Sequence, residues 1–431
     1  MSSYNTENLI AILKKEFEKI TLKTREVSSQ RITDILLSGV AVFNLKYPSL
    51  LQFDESRNEE LIRHNLKSLY HIENPPSDTY MREIIDEIDP KDLRSGFTRL
   101  FKTLQKGKVL QKLTYVDGYY LMPIDGTGHY SSSKVHCDQC CEKHHRNGSI
   151  TYHHNLIQAA LVHPDIKAVV PLCPEPILKQ DGDTKNDCEM NATERFLNDY
   201  RREHPHLKTM VLQDALFGKD PHIKRLQSLK LSYIIGVKSA DHGHLFKHVE
   251  TNEETQVIKH VDESGVTHRY RFLNNAPLNK SNQDVRVNFL EYIWIKEDGT
   301  THYFSWITDQ VICKNNLELL MKAARTRWKI ENETFNTLKN QGYQFDHNFG
   351  HGNKNLCTNF SFLMLMAFLI DQIQLLASLR FKKALDKTKY KIALWFKMRS
   401  LFTHFFILKW DDLFLSIAYS HQGACLTPNS S

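Results

Sequence analysis

Three acidic residues stand where a folded chain could hold metal ions. Asp125 and Asp214 each follow a short apolar run, which predicts a buried strand, and each begins a predicted turn. Glu331 lies in a charged segment that is predicted to be helical. Carboxylates held rigidly at strand ends yet facing solvent suit metal binding. Three of them could hold two Mg²⁺ ions about 4 Å apart, which stabilise both oxygens of an in-line displacement at phosphorus.

Each acidic residue alone also has an ordinary interpretation. Asp-Gly, as in Asp125-Gly126, is above all a turn dipeptide, and Asp214 has a similar setting. A glutamate such as Glu331 on a charged helix usually faces solvent. What favours a metal site is the order along the chain: strand and Asp, strand and Asp, a β-rich segment, then helix and Glu.

The elements that would position these residues follow from hydrophobic periodicity. The pattern predicts an α/β fold, with a mixed sheet flanked by helices, a β-rich insertion, and helical regions at both ends. An Asp298-Gly299 pair closes a hairpin within the insertion. The predicted regions are 1–110, helical; 111–250, the first part of the core, with a Cys/His loop at 136–154; 251–312, the β-rich insertion; 313–375, the last part of the core with the helix that carries Glu331; and 376–431, a helical basic tail.

Five segments carry a likeness to a known family: Leu121 to Thr127, Val211 to Asp214, Arg327 to Glu331, Phe335 to Lys339 and His347 to Gly352. On these segments the chain resembles bacterial insertion-sequence transposases of the DDE type that carry a β-rich insertion, which implies that region 1–110 binds DNA. The resemblance implies a ribonuclease H-like core in which Asp125, Asp214 and Glu331 are catalytic and bind two Mg²⁺ ions, for which Mn²⁺ can substitute. It also implies hydrolysis at the ends of a mobile element, strand transfer into target DNA, and a homodimer on the DNA.

Three further residues are predicted to bind DNA through this resemblance. The family signature is Tyr-x2-Arg-x3-Glu-x6-Lys, and Arg327 and Glu331 match its Arg-x3-Glu spacing. Ala324 stands at the tyrosine position, and Lys339 falls one residue after the lysine position, a rotation of about 100° on a helix. For Lys339 a solvent-facing role therefore remains open. Trp306, in the insertion, could stack on a displaced base or be an ordinary sheet-core residue.

A cluster of cysteines and histidines lies in the predicted loop at 136–154. Cys137 and Cys140 have the spacing of half a structural zinc site. The other half stays open among His144, His145, His153, Cys173 and Cys188, with His144 and His153 taken as the candidate partners. The alternative is an inert polar loop with buried cysteines.

Composition limits the remaining function classes. The 431 residues carry a formal net charge of +6, which permits an anionic partner such as DNA. The start has no secretory pattern, and the most apolar run, Phe362 to Ile370, is too short to span a membrane. We expect a cytoplasmic, nucleoid-associated protein with no membrane or small-molecule partner. The alternatives are a metal-dependent nuclease without strand transfer and a non-catalytic DNA-binding derivative of a transposase.

Overall fold

The computed structural model describes residues 4–179, 187–280, 283–419 and 426–428. Its N-terminal part is helical, as predicted, and side chains of Asn5, Ser28, Ser49 and Ser77 cap four of the helices by accepting backbone N–H bonds. The helices are α1 (Thr6–Phe17), α2 (Ser29–Asn44), α3 (Leu50–Ser56), α4 (Glu60–Tyr70), α5 (Asp78–Glu87) and α6 (Arg94–Lys106).

A mixed sheet follows. Its first part consists of β1 (Tyr120–Ser132), β2 (Cys141–His144), β3 (Ile150–His163), β4 (Ile166–Pro171), β5 (Glu175–Ile177), α7 (Glu189–Glu203), β6 (Thr209–Gln213), α8 (Asp220–Ser228), β7 (Ser232–Gly236) and α9 (Gly243–Thr251). Five of these strands lie in the order β4-β3-β1-β6-β7. The first three are antiparallel, whereas β6 and β7 run parallel to β1. This is the mixed α/β arrangement that the sequence predicts, and it is consistent with a ribonuclease H-like core.

The predicted β-rich insertion continues this sheet. Its strands are β8 (Gln256–Val261), β9 (Thr267–Pro277), β10 (Arg286–Ile295) and β11 (Thr301–Thr308), which form an antiparallel meander. The predicted hairpin is present, because Gly299 donates its N–H to the carbonyl of Lys296 between β10 and β11. Strand β11 pairs with β7, so the described strands β1 to β11 form one eleven-stranded sheet.

The helices resume after the insertion. They are α10 (Leu317–Arg325), α11 (Asn336–Asn340), α12 (Leu356–Ala377), α13 (Leu379–Thr388), α14 (Lys391–His404) and α15 (Trp410–Tyr419), and a two-stranded ribbon pairs β12 (Phe405–Phe406) with β13 (Thr427–Pro428). Between α10 and α11 the backbone is irregular: a 3₁₀ turn at Thr326–Trp328 is followed by a π-helical segment at Ile330–Phe335. Such π segments are frequent at functional sites.

Helix α12 is the centre of the helical part. It is the one helix of the described ranges long and apolar enough to cross a membrane, yet 89% of its most apolar window is buried inside the protein. The apolar run Phe362 to Ile370 therefore lies inside a buried core helix. α12 packs against α2, α5 and α6 from the N-terminal region and against α13. Its Asp371 accepts hydrogen bonds from Lys46 at 2.7 Å and from Asn44 at 3.1 Å.

One local prediction is wrong. Asp125 does not end a strand, because β1 continues seven residues beyond it to Ser132. The antiparallel partner β3 overrides the turn propensity of Asp-Gly, since Asp125 pairs with Gln158 and Gly126 with Ile157. A Cβ atom at Gly126 would meet the carboxylate of Glu189, so the two residues are close neighbours.

Candidate active site

Asp125 and Asp214 are brought together by strand pairing. The parallel strands β1 and β6 align Tyr120 with Thr209 and Pro123 with Leu212. The same offset places Asp125 beside Asp214, which directly follows β6 and caps a short 3₁₀ turn through a bond from the N–H of Leu216 at 3.0 Å. Residues in register on adjacent strands point to the same face. Two carboxylates that lie 89 residues apart in sequence are thus neighbours on one side of the sheet.

Arg327 connects Asp125 to Glu331. Its Nη1 lies 3.0 Å from Oδ2 of Asp125, and its Nη2 lies 3.1 Å from Oε1 of Glu331. The side chains of Arg327, Asp125 and Glu331 are 17%, 24% and 34% exposed, so the group is partly sheltered but open to solvent. Arg327 and Glu331 lie four residues apart and share one side of the irregular helical segment. The structure therefore brings the three predicted carboxylates to one place.

The electrostatics of the site reflect burial and crowding of like charges. Burial raises the pKa of Asp125 to about 6, while Arg327 and the N–H of Gly126 act to lower it. The negative charges of Glu331 and Asp214 raise it further. These mutual effects agree with carboxylates that lie near one another. A carboxyl group whose pKa is raised mainly by burial, within a cluster of charged residues, is typical of a functional site.

A fourth acidic residue belongs to this group and was not predicted from the sequence. Glu189 is the first residue of α7, and its carboxylate lies against Gly126. Burial raises the pKa of Glu189, and the charge of Asp214 adds to that effect. The sequence signal was weak, because a glutamate in the first turn of a helix is ordinarily explained by the helix dipole.

The other predicted DNA contacts lie elsewhere. Lys339 forms an ion pair with Asp346 at 3.3 Å and not with the carboxylates of the site. Trp306 is only 8% exposed and packs parallel to Phe304 in the sheet, so its ring is not presented to a base. Trp328, which the sequence analysis did not single out, is 50% exposed, and the guanidinium of Arg327 lies 5.0 Å from its ring centroid.

The structure groups Cys137 and Cys140 with two histidines other than the predicted ones. Cys137 and Cys140 lie in the connection from β1 to β2, and they are joined by His154 of β3 and by His351 from the segment before α12. The predicted partners are not in this group: His144 lies 3.2 Å from Glu142, and His153 sits opposite Cys141 on the neighbouring strand. The physical reason is strand alternation, because His153 and His154 point to opposite faces of β3.

The thiols of this cluster interact strongly with one another. Cys137 Sγ lies 3.9 Å from Cys140 Sγ and 3.5 Å from Nε2 of His154. Hydrogen bonding from Cys140 and from the two imidazoles lowers the pKa of the Cys137 thiol. The cluster is separate from the carboxylates: it includes His154 of β3, whereas the carboxylates include Asp125 of the paired strand β1.

Comparison with known proteins identifies the family. The family model for the transposase DDE domain matches residues 137–369, more than half of the chain, and the chain belongs to this family. The matched region contains Asp214 and Glu331 and begins after Asp125. No curated protein matches the chain significantly. The chain is also similar to a cryo-EM structure of the piggyBac transposase synaptic complex with hairpin DNA, at 11% identity over 97% of this chain and 79% of that one, with a TM-score of 0.42. That similarity is too low to carry an argument.

Family membership gives the general activity. The protein is a DNA transposase, an enzyme that binds DNA, cuts it and transfers strands, and transposases of this family work with divalent metal ions.

Proposed function

We propose that Asp125, Asp214 and Glu331 are the catalytic carboxylates of this transposase and that they bind two Mg²⁺ ions, for which Mn²⁺ can substitute. The observation that supports this most directly is the alignment of β1 with β6, which places Asp125 beside Asp214, together with the contacts of Arg327 to both Asp125 and Glu331.

The residues present fit such ions. The donors are carboxylate oxygens, which Mg²⁺ prefers over nitrogen or sulfur. The four carboxylates outnumber the single guanidinium of Arg327, so the group carries excess negative charge that bound cations would offset. When bound, two divalent ions would lower the charge on the reacting phosphate and stabilise the entering and leaving oxygens.

The chain's own residues would position the DNA strand. Arg327 offers a planar set of donors beside the carboxylates, and this geometry suits the oxygens of a phosphate. We propose that it turns from the carboxylates to the phosphate when DNA and metal bind. The exposed ring of Trp328 next to it provides a surface on which a terminal base could stack. This role replaces the one predicted for Trp306, while Lys339 remains a candidate contact to the backbone further along the strand.

We include Glu189 as a fourth carboxylate of the centre, because it lies against Gly126 and its pKa is raised by burial and by the charge of Asp214. Glu189→Gln keeps the shape of the side chain and removes its charge. We expect Mn²⁺ affinity, measured by calorimetry on the full chain, to fall by about 10-fold, since losing one supporting carboxylate typically costs 10–100-fold. The matched control is Glu194→Gln on the same helix, whose side chain is 59% exposed. Equal Mn²⁺ affinity in the two variants would remove Glu189 from the centre.

The proposed substrates are the ends of a mobile element and a target DNA. We propose hydrolysis at each end to free 3′-hydroxyls, followed by attack of those hydroxyls on target DNA, in a homodimer that holds both ends. A bacterial, cytoplasmic setting at the nucleoid is the compartment that fits this activity. No small-molecule substrate or membrane partner is part of the proposal.

The test is to incubate the purified protein with its own element's terminal sequences and Mg²⁺, map the cuts on labelled strands, and assay joining to a plasmid target. Cuts at the element boundary followed by joined products support the proposal. Cuts without joining favour the metal-dependent nuclease, and specific binding without cuts favours the non-catalytic derivative.

A further inference from the structure

The Cys/His cluster brings together four side chains from three separate parts of the chain. Cys137 and Cys140 come from one tight turn, His154 from strand β3, and His351 from a segment about 200 residues further along. All four ligand atoms lie within 4.8 Å of one another. Three of the residues are buried: Cys140, His154 and His351 are at most 7% exposed.

The distances within the cluster match a tetrahedral zinc site. With Zn–S near 2.3 Å and Zn–N near 2.0–2.1 Å, an ideal tetrahedron separates two sulfurs by about 3.8 Å and a sulfur from a nitrogen by about 3.5 Å. The two sulfurs of Cys137 and Cys140 are 3.9 Å apart. Nε2 of His154 lies 3.5 Å and 3.3 Å from these sulfurs, and Nε2 of His351 lies 3.3 Å from Cys140 Sγ.

The surroundings orient at least one of the imidazoles for this task. Nδ1 of His351 lies 2.8 Å from the carbonyl oxygen of Gly352 and can donate its proton there. Nε2 is then left with its lone pair directed at the thiols, which is how metal-binding histidines are commonly held. Gly352 has φ +71°, a left-handed conformation that favours glycine and lets the chain fold back over the ring.

We propose that Cys137, Cys140, His154 and His351 bind one structural Zn²⁺ ion. Four protein ligands in a mostly buried tetrahedron leave no open position for substrate, so the site is structural and not catalytic. The ion would tie the hairpin of β1 and β3 to the segment that leads into α12. Strand β1 carries Asp125, and the segment follows the helix that carries Glu331. The ion would therefore hold in place the two sides of the acidic centre, the group formed by Asp125, Asp214, Glu331 and Glu189. This goes beyond the transposase activity and does not depend on it.

The first experiment measures zinc in the full chain, purified without chelator from zinc-supplemented cells. We expect one Zn²⁺ per chain by elemental analysis. Cys137→Ser and His351→Ala should each lower it at least five-fold and lower the unfolding temperature. The matched controls are His144→Ala on β2 and His153→Ala on β3, which lie outside the cluster and should keep the ion.

A second set of measurements keeps the proposal testable if the first variants fail to fold. His351→Cys supplies a different zinc ligand at the same place, so it should retain one zinc per chain and near-normal unfolding. Co²⁺ in place of Zn²⁺ should give the visible absorption of tetrahedral thiolate coordination in the parent chain. Three results would each overturn the proposal. They are a folded protein without zinc, a disulfide between Cys137 and Cys140, and full zinc content in His351→Ala together with zinc loss in His153→Ala.

Discussion

The acidic centre includes Asp125 of β1 and the Cys/His cluster includes His154 of the neighbouring strand β3, yet the two groups are built in opposite ways. The acidic centre consists of hard oxygen donors that come from strands and helices, and Arg327 supplies a counter-charge to Asp125 and Glu331, which are partly exposed. The cluster consists of sulfur and nitrogen donors, of which three are buried and one, Cys137, is partly buried. An open group of carboxylates suits ions that exchange and meet substrate, whereas a closed group of thiols suits an ion that stays.

The largest expected effect separates the two groups by chemistry. Asp125→Asn removes one proposed Mg²⁺ ligand, so cleavage of a labelled element end should fall by on the order of 10³-fold or more. End binding and zinc content should be unchanged. Asp117→Asn is the matched control, because Asp117-Gly118 is another Asp-Gly pair in an exposed turn. Normal cleavage by Asp125→Asn would show that the carboxylate assignment is wrong.

A smaller effect tests whether Arg327 contacts a DNA phosphate in addition to the carboxylates of the acidic centre. Arg327→Ala should reduce cleavage by roughly 10–100-fold and flatten the salt dependence of end binding by about one unit of slope, since one phosphate contact is lost. Arg327→Lys should keep the slope but not the full cleavage rate, because lysine lacks the planar fork. Titrations at several salt concentrations give the slope. Arg202→Ala, on the exposed side of α7, is the control, and an unchanged slope in Arg327→Ala would contradict a phosphate contact.

Arg327 should also affect the acidic centre through charge. Its guanidinium lowers the pKa of Asp125, so Arg327→Ala should raise that pKa further. A metal ligand must be deprotonated, and Mn²⁺ binding by Arg327→Ala should therefore require a higher pH than binding by the parent chain. Calorimetric titrations with Mn²⁺ over roughly pH 5 to 8 compare the two variants. Identical pH dependence would mean that the ion pair is not maintained in solution.

The smallest effect is on stability. The pKa of Asp125 is raised from its unfolded value of 3.8 to about 6, so its protonated form stabilises the fold below about pH 4, and this contribution is lost as pH rises through about 6. In chelator, the parent chain should lose about 3 kcal/mol relative to Asp125→Asn across that range. Urea unfolding at several pH values measures it. If the free energy of unfolding varies with pH in the same way in the parent chain and in Asp125→Asn, the raised pKa of Asp125 is contradicted.

The sequence predicted some parts of both groups and missed others for physical reasons. The order of Asp125, Asp214 and Glu331 was recognisable because each follows or lies on an element with clear periodicity. The strand beyond Asp125 was missed because pairing with β3 is a long-range effect that dipeptide propensity does not contain. The spacing of Cys137 and Cys140 was visible, whereas His351 was not, because 211 residues separate it from Cys140. Neither Glu189 nor Trp328 has a local pattern that distinguishes it from a surface residue.

Helix α12 has a consequence for shortened copies of the gene. Its apolar surface is covered by α2, α5 and α6 from the N-terminal region and by α13 from the C-terminal region. The two regions are also joined directly, because the side chain of Asn65 on α4 donates hydrogen bonds to the carbonyls of Phe402 and Phe405. A copy that lost either end would expose this surface and aggregate. Decayed copies would then fail as insoluble fragments and would not persist as inhibitors that occupy DNA ends without cutting them.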